Sequence, residues 1–275
     1  MSFLSSGKFT QIDNIKIHYR EIGEGEPILL IHGWPTSSFL YRNIAPKLAL
    51  KNRVIAIDLP GFGLSDKNPN TTYNFNFYEK ILSGFIKNLG IEKLGLVVHD
   101  LGGPVGLFWA CKNKEKISKL AILNTLVYPE MSWAVKLFVF SLSLPFVSSF
   151  LVSPFGLDLA MLVGVRNEEN QTKEMFEGVK APFQTDEDRN ALIKTGLDLQ
   201  PKGFLLISER IKSFKMPVQI IYGETDLILP DIKKTVKMLK KDIPHANVIS
   251  IPDCGHFLQE DKPEEVGNYL FDFFS

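Results

Sequence analysis

The sequence predicts an α/β protein with a mostly parallel central sheet, helices on both faces and an inserted helical cap. Three observations support this fold class. Short apolar runs alternate with amphipathic helical stretches through the first half of the chain, and the same alternation returns near its end. Between them, residues 128–212 contain several helical stretches and no run typical of a strand. Alternating strands and helices are typical of a parallel sheet that helices cover on both sides.

The elements follow in order along the chain. Two strands, Phe9–Ile12 and Ile15–Ile22, flank Asp13-Asn14, which favours a hairpin turn. Pro27–Ile31 is fully apolar, as a central parallel strand should be. The remaining predicted elements are helix Ser38–Leu50, strand Arg53–Ile57, helix Phe75–Leu89, strand Leu94–Val98, helix Gly102–Lys112, strand Leu120–Leu123, strand Val218–Tyr222, helix Asp231–Lys241, strand Val248–Ile251 and helix Pro263–Phe273.

This order divides the chain into a core, residues 1–127 and 213–275, and a helical cap, residues 128–212. The cap contains a stretch without any charged residue, Leu137–Leu157, which is long enough to span a membrane on length alone. Pro145 and Pro154 break the stretch into short pieces. We therefore expect short apolar helices that cover a substrate pocket, with contact to a membrane surface as the less favoured alternative.

Composition narrows the classes of partner and compartment. Lys plus Arg number 31 and Asp plus Glu number 31, so no excess of positive charge predicts nucleic-acid binding. The two cysteines, Cys111 and Cys254, lack metal-ligand spacing, and the N-terminus lacks the pattern of a signal peptide. Gly61-Phe62-Gly63 lacks the third glycine of a dinucleotide fingerprint. We expect a cytoplasmic protein without metal or cofactor that acts on a small molecule; its oligomeric state is left open.

Asp100 is the residue that points most directly to chemistry. The run Leu96–Gly106 passes from an apolar strand through a tight turn into a helix, the pattern of a nucleophile elbow. A carboxylate at that turn attacks sp3 carbon and forms an alkyl ester, so substrates with a leaving group on such a carbon are favoured. The alternative from this motif alone is an Asp that caps the following helix.

Three further motifs follow predicted strand ends, where ligands bind in open parallel sheets. His32-Gly33-Trp34-Pro35 predicts an oxyanion hole built from the backbone N–H groups of Trp34 and Leu101. Asp226, after the seventh strand, is the candidate acid, and His256, after the last strand, is the candidate base. The order nucleophile, acid, histidine is that of α/β-hydrolases.

These motifs together resemble a known family, the Asp-nucleophile α/β-hydrolases and among them the haloalkane dehalogenases. The resemblance covers nearly the whole core and one short cap motif: His32–Arg42, Val54–Ile57 leading into Gly61–Lys67, Val97–Gly103, Ala181-Pro182-Phe183 and Asp253–Glu260. It implies an α/β-hydrolase fold. It also implies that Asp100 displaces a halide and forms an alkyl-enzyme ester, which water activated by His256 then hydrolyses. Asp226 would orient His256, since Asn124 occupies the second acid position of relatives.

The halide site departs from the family pattern. Relatives commonly carry a halide-binding tryptophan directly after the nucleophile, where this chain has Leu101. We expect the indole N–H of Trp34 to replace that donor, with Trp133 in the early cap as the second candidate. The other interpretation is that Trp34 only packs the pocket wall.

Two alternative functions remain from the sequence. An epoxide hydrolase would use the same three residues, but that class protonates the epoxide oxygen with cap tyrosines, and Tyr128 is the only tyrosine between residues 128 and 212. A non-catalytic protein that binds an apolar ligand would have no need of Asp100, Asp226 and His256 together.

Overall fold

A computed structural model describes residues 2–275 and has an eight-stranded sheet at its centre. The strand order is β1-β2-β4-β3-β5-β6-β7-β8, with β1 and β2 antiparallel to their neighbours and all other pairs parallel. The strands are β1 Gly7–Ile12, β2 Ile15–Ile22, β3 Glu26–Ile31, β4 Asn52–Ile57, β5 Leu94–Asp100, β6 Ile117–Thr125, β7 Val218–Gly223 and β8 Asn247–Ile251. The predicted α/β fold with a mostly parallel sheet is confirmed.

Twelve α-helices accompany the sheet in residues 2–275. They are α1 Ala45–Leu48, α2 Phe75–Asn88, α3 Gly102–Lys112, α4 Trp133–Ser143, α5 Pro145–Leu151, α6 Pro154–Gly164, α7 Lys173–Lys180, α8 Asp186–Leu197, α9 Pro201–Arg210, α10 Ile232–Asp242, α11 Leu258–Asp261 and α12 Pro263–Phe274. Helices α4 to α9 all lie between β6 and β7, and that interval contains no strand in the part of the chain that the structure describes.

The centre of the sheet carries the most apolar strands because both of its faces are covered. The last four residues of β3 and the first six of β5 are buried, whereas the edge strand β1 has mainly exposed residues. The buried strands end side by side, so the loops that follow β3, β5, β6, β7 and β8 meet at one edge of the sheet. The candidate residues of the sequence lie in or next to these loops.

One predicted helix is wrong in its extent. Instead of a continuous helix over Ser38–Leu50, the structure has a short 3-10 helix, Ser38–Tyr41, followed by α1, which begins at Ala45. Pro46 explains the break, because it has no backbone N–H to bond to the preceding turn and is tolerated only in the first turn of a helix.

The apolar stretch of the cap forms three short helices. No single helix among residues 2–275 is long and apolar enough to cross a membrane. Helices α4 and α5 reach that length and composition only as a pair, and their axes bend by 111°.

A buried carboxylate holds the loops below the site. Asp58, directly after β4, accepts hydrogen bonds from the backbone N–H of Ser38 at 2.6 Å and of Leu64 at 2.9 Å, and its Oδ2 lies 2.7 Å from His18 Nδ1. Burial by itself raises the pKa of Asp58, but His18, His32 and the Leu64 N–H together outweigh burial and lower that pKa to about 2. The folded protein therefore stabilises the ionised form of Asp58 more than the unfolded chain does.

We expect Asp58→Asn to lower the free energy of unfolding at pH 7 by about 2 kcal/mol, the value of a pKa depressed from 3.8 to about 2. A depressed carboxyl pKa stabilises the fold above the unfolded pKa, and this contribution is lost as the pH falls from about 4 toward 2. Denaturant unfolding between pH 7 and pH 2.5 measures it. Asp186→Asn, at a carboxylate that is 92% exposed, is the control. An Asp58→Asn protein as stable as this control would contradict the prediction.

Candidate active site

Asp100 lies on a strained turn between β5 and α3. Its φ of 48° is in the left-handed region that few residues other than glycine adopt. Thr125 at the end of β6 donates its hydroxyl to the Asp100 carbonyl at 2.6 Å and holds this backbone from the neighbouring strand. A side chain at Gly103 would collide with the Thr125 hydroxyl, which explains the glycine there. The predicted elbow is therefore present, with its side chain above the sheet edge.

The predicted oxyanion donors point at the Asp100 carboxylate. The backbone N–H of Trp34 donates to Asp100 Oδ1 at 2.6 Å, and the neighbouring backbone N–H of Leu101 helps to lower the pKa of the same carboxyl. Gly33 permits this approach, because a Cβ there would overlap the Asp100 side chain. An ester carbonyl formed on Asp100 would already lie against both donors, where the negative charge of a tetrahedral intermediate develops.

His256 lies between two carboxylates. Its Nδ1 is 2.8 Å from Asp226 Oδ2, and its Nε2 is 3.3 Å from Asp100 Oδ2 without hydrogen-bond geometry. The Nδ1–H therefore donates to Asp226, and Nε2 faces Asp100, so the structure brings the three predicted residues together. Burial lowers the pKa of His256, but the two carboxylates outweigh burial and raise that pKa to about 10.

The same pairing acts on Asp100. Burial raises the pKa of its carboxyl, but the interactions with His256 outweigh burial and bring the pKa below its ordinary value. The side chain is only 13% exposed, so little water competes for it. Asp100 is accordingly ionised at neutral pH, the state that a nucleophile requires.

Asn124 contributes to the site in a way that the sequence did not reveal. Its Nδ2 donates to Asp226 Oδ2 at 2.7 Å and to the carbonyl of Gly255 at 3.2 Å, while its Oδ1 accepts from the Gly223 N–H at 3.0 Å. The amide therefore links the ends of β6 and β7 to the loop of the catalytic histidine. Its position at the end of a central strand was the available signal, but its partners come from distant parts of the chain.

Two more histidines support the site without titrating near neutral pH. His99 lies under His256 and bonds through Nε2 to the His256 carbonyl at 2.9 Å; burial and the neighbouring His256 lower the pKa of His99 to about 4. His32 accepts from the Leu59 N–H through Nε2, so its Nδ1–H donates to the Gly33 carbonyl at 2.9 Å. Both therefore act as neutral supports of the loops that carry the catalytic residues.

A cavity of about 550 Å³ opens above Asp100. Side chains from α4, α6, α8 and α9 line it together with the loops of the core, and they are almost all apolar. Asp100 and Gln200 are the only lining residues with a charged or amide side chain. No tyrosine lines the cavity, and the Tyr128 hydroxyl instead lies 3.0 Å from Asp242 Oδ2. Such a lining suits an apolar molecule and offers few polar groups to it.

Neither predicted halide donor is placed for that role. The indole N–H of Trp34 donates to the carbonyl of Leu192 in α8 at 3.2 Å, and its ring packs edge-to-face against Phe138. Trp133 does not line the cavity and is 70% exposed. The halide-binding assignment is therefore corrected: Trp34 packs the wall and binds the cap, and Trp133 faces outward.

Comparison with known proteins places this geometry in a family. The sequence model described as alpha/beta hydrolase fold matches residues 26–263. The chain belongs to this family.

Its relatives in the family differ in activity. A cis-3-alkyl-4-alkyloxetan-2-one decarboxylase of Shewanella oneidensis is 30% identical, over 94% of this chain and 85% of the relative. A haloalkane dehalogenase of Mycobacterium tuberculosis is 27% identical, over 94% of this chain and 91% of the relative. The solved structure of a haloalkane dehalogenase from Bradyrhizobium elkani has the same fold, with a TM-score of 0.85 at 24% identity over 97% of this chain and 96% of that one.

We expect nuclear magnetic resonance titration to find His256 protonated at pH 7 and His99 neutral. Asp226→Asn should lower the pKa of His256, because one of the two charges that raise it is removed. Since the folded pKa is raised, His256 stabilises the fold fully below pH 6.5 and this stabilisation is lost as the pH rises toward 10. Asp158→Asn in the cap is the control. A wild-type His256 that titrates below 6.5 would contradict this assignment.

Proposed function

We propose that this hydrolase-family protein attacks an sp3 carbon of an apolar substrate with Asp100 and forms an alkyl-enzyme ester. The observation that carries the proposal is the ionised carboxylate at the floor of an apolar cavity, with the backbone N–H of Trp34 on its Oδ1. An alkyl ester is a stable product of attack at sp3 carbon, whereas attack at an acyl carbon would give a mixed anhydride. Asp100 is thus the nucleophile, and Asp226 orients His256.

Formation of the ester changes the protonation of His256. In the free site two carboxylates raise its pKa to about 10, so the imidazole is protonated. Esterification removes the charge of Asp100 and with it one of those two carboxylates. The pKa of His256 then falls, and the imidazole can take a proton from a water that attacks the ester. The backbone N–H groups of Trp34 and Leu101 stabilise the oxyanion of that step.

The substrate class depends on the leaving group. The cavity favours a leaving group that departs without a hydrogen bond from a side chain. An epoxide oxygen needs a proton donor, yet no tyrosine lines the cavity. A halide needs N–H donors, yet the Trp34 indole is bonded to Leu192. A four-membered lactone carries its own leaving group, a carboxylate, and ring strain drives its departure. We therefore propose a cis-3,4-dialkyl-oxetan-2-one as the substrate class, in line with the activity for which the Shewanella relative is named.

The lactone reaction balances without added water. An oxygen of Asp100 bonds to C4 of the lactone, the sp3 carbon that carries an alkyl group and the ring oxygen. The bond between C4 and the ring oxygen breaks, and its electron pair stays on that oxygen and completes a carboxylate. The bond between that carboxylate and the neighbouring carbon then breaks and releases CO₂. Its electron pair forms the alkene and expels Asp100 as a free carboxylate. This second step moves the negative charge from the substrate carboxylate, in the apolar cavity, back to Asp100, where His256 and the Trp34 N–H stabilise it.

Cleavage of a carbon–halogen bond is the second candidate. It is favoured by the apolar cavity, by the three residues Asp100, Asp226 and His256, and by the 27% identical haloalkane dehalogenase. Asp100 would displace the halide from a haloalkane, and water activated by His256 would release the alcohol. Without a free side-chain N–H at the halide, bromides should react far better than chlorides, because bromide is the better leaving group.

The test compares two substrates on the same protein. Wild-type protein should convert a cis-3,4-dialkyl-oxetan-2-one to the alkene and CO₂, detected by gas chromatography, and should release little halide from a 1-bromoalkane. His256→Phe should still decarboxylate the lactone, but more slowly, because the loss of His256 raises the pKa of Asp100; any alkyl group slowly transferred from the bromoalkane should stay on the intact protein as a mass gain. Asp100→Asn should abolish both results, and Asp158→Asn is the matched control.

Each other outcome decides against a part of the proposal. Rapid halide release together with unreacted lactone would make the protein a haloalkane dehalogenase. A hydroxyalkyl adduct on His256→Phe, formed only with an epoxide, would indicate an epoxide hydrolase. If none of the three substrates reacts or leaves an adduct, covalent catalysis by Asp100 is wrong and the apolar-ligand binding protein is the function to pursue.

A further inference from the structure

The cap exposes an unusual concentration of large apolar side chains. Of the seventeen large hydrophobic residues that are exposed in residues 2–275, eleven lie between residues 133 and 163, in α4, α5 and α6. We call these eleven exposed side chains the cap patch. They are Trp133, Leu137, Phe140, Leu144 (between α4 and α5), Phe146, Val147, Phe150, Phe155, Leu159, Leu162 and Val163. Together they expose on the order of 1,000 Å² of apolar surface, more than the largest patch of about 300–600 Å² on a typical monomer. A surface of this kind marks an interaction site.

The shape of the cap patch is convex. Helices α4 and α5 meet at an angle of 111°, and the corner between them projects Leu144, Phe146 and Val147 into solvent. Phe146 is 93% exposed, so nearly its whole ring stands free of the protein. A projecting apolar corner fits the acyl region of a lipid bilayer, because the acyl chains rearrange around it. A protein partner would instead need a surface of matching shape.

Between residues 131 and 167 the charged residues are few and mostly basic, and Glu130, Glu168 and Glu169 flank this segment. Asp158 is the only acidic residue between residues 131 and 167, and Lys180 neutralises it at 3.0 Å. Lys136 and Arg166 in the same segment form no ion pair with any residue from 2 to 275 and leave two free positive charges. Each basic residue near a bilayer with anionic lipids strengthens binding by about 1 kcal/mol.

The cap patch is continuous with the wall of the catalytic cavity. Leu159 and Val163 of α6 are exposed and also line the cavity. In α4 the outer face carries Leu137 and Phe140, while Phe138 on the inner face lines the cavity. A single layer of short helices thus separates the exposed surface from the space above Asp100.

From these four observations we propose that the cap patch docks the protein onto the surface of a lipid bilayer. The cavity then receives apolar substrate directly from the lipid, a consequence that rests on the proposed function. The occupant is the bilayer: the apolar corner around Phe146 enters the acyl boundary, and Lys136 and Arg166 lie at the level of the head groups. This reverses the preference drawn from the sequence, in which the apolar stretch only covers a pocket.

The experiment is flotation of the full chain with vesicles of phosphatidylcholine alone and with phosphatidylglycerol added. Wild-type protein should float with both, more strongly with the anionic vesicles, and Phe146→Ser should bind about tenfold less tightly because a large exposed apolar group is lost. Lys136→Glu should weaken binding to anionic vesicles only. Leu50→Ser, at a side chain 70% exposed but outside the cap patch, is the matched control and should bind like the wild type. Because Phe146 makes little contact with the protein, its loss should leave the melting temperature unchanged.

Two further measurements separate this proposal from its alternatives. Asp100→Asn should bind vesicles like the wild type, so that docking is measured even if the proposed chemistry is wrong. Sedimentation velocity tests whether a second copy of the chain covers the cap patch instead: a wild-type dimer that Phe146→Ser converts to monomer would overturn the proposal. Absence of wild-type binding to either vesicle would overturn it as well.

Discussion

The buried charge of Asp100 is the constraint on which the rest of the structure depends. A carboxylate that is 13% exposed at the floor of an apolar cavity is costly unless hydrogen bonds and an opposite charge compensate its lost hydration. The compensation comes from three strand ends: the Trp34 N–H after β3, the Leu101 N–H after β5, and His256 after β8. A parallel sheet brings such ends together, which is why this chemistry needs the whole core and cannot be carried by one local motif.

Asp226, which lies behind His256, is also held by several hydrogen bonds. Asp226 accepts from the backbone N–H groups of Ile228 and Leu229 as well as from Asn124 and His256, so its charge is fully satisfied. A satisfied Asp226 cannot move toward another partner, and His256 is held with Nε2 toward the nucleophile. The pKa of His256 in turn depends on the charge of Asp100, so in the proposed mechanism a covalent change at Asp100 changes the protonation of His256.

The cap places almost no polar side chain in the cavity above Asp100, and this limits the reactions that the cavity favours. Its helices turn apolar residues toward Asp100, and the Leu192 carbonyl takes the indole N–H that could have faced a leaving group. A reaction in this cavity is favoured when the substrate provides its own leaving group and when the negative charge returns to Asp100 as the products form. The outer faces of α4 and α6 are apolar too, so these helices contact an apolar environment on both sides. That property joins the proposed substrate class and the proposed docking surface.

The sequence by itself determined the fold class and predicted the three residues of the candidate site. Asp100, Asp226 and His256 follow strand-like runs in a fixed order, and the runs are readable because buried parallel strands are continuously apolar. The tertiary structure alone decided three other features. It bonded the Trp34 indole to a carbonyl 158 residues away, and it gave Asn124 the task of linking three loops. It also decided which side chains of Leu137–Leu157 are exposed, about half of them. The sequence could not predict these side chains, because this uncharged stretch has no regular alternation of apolar and charged residues.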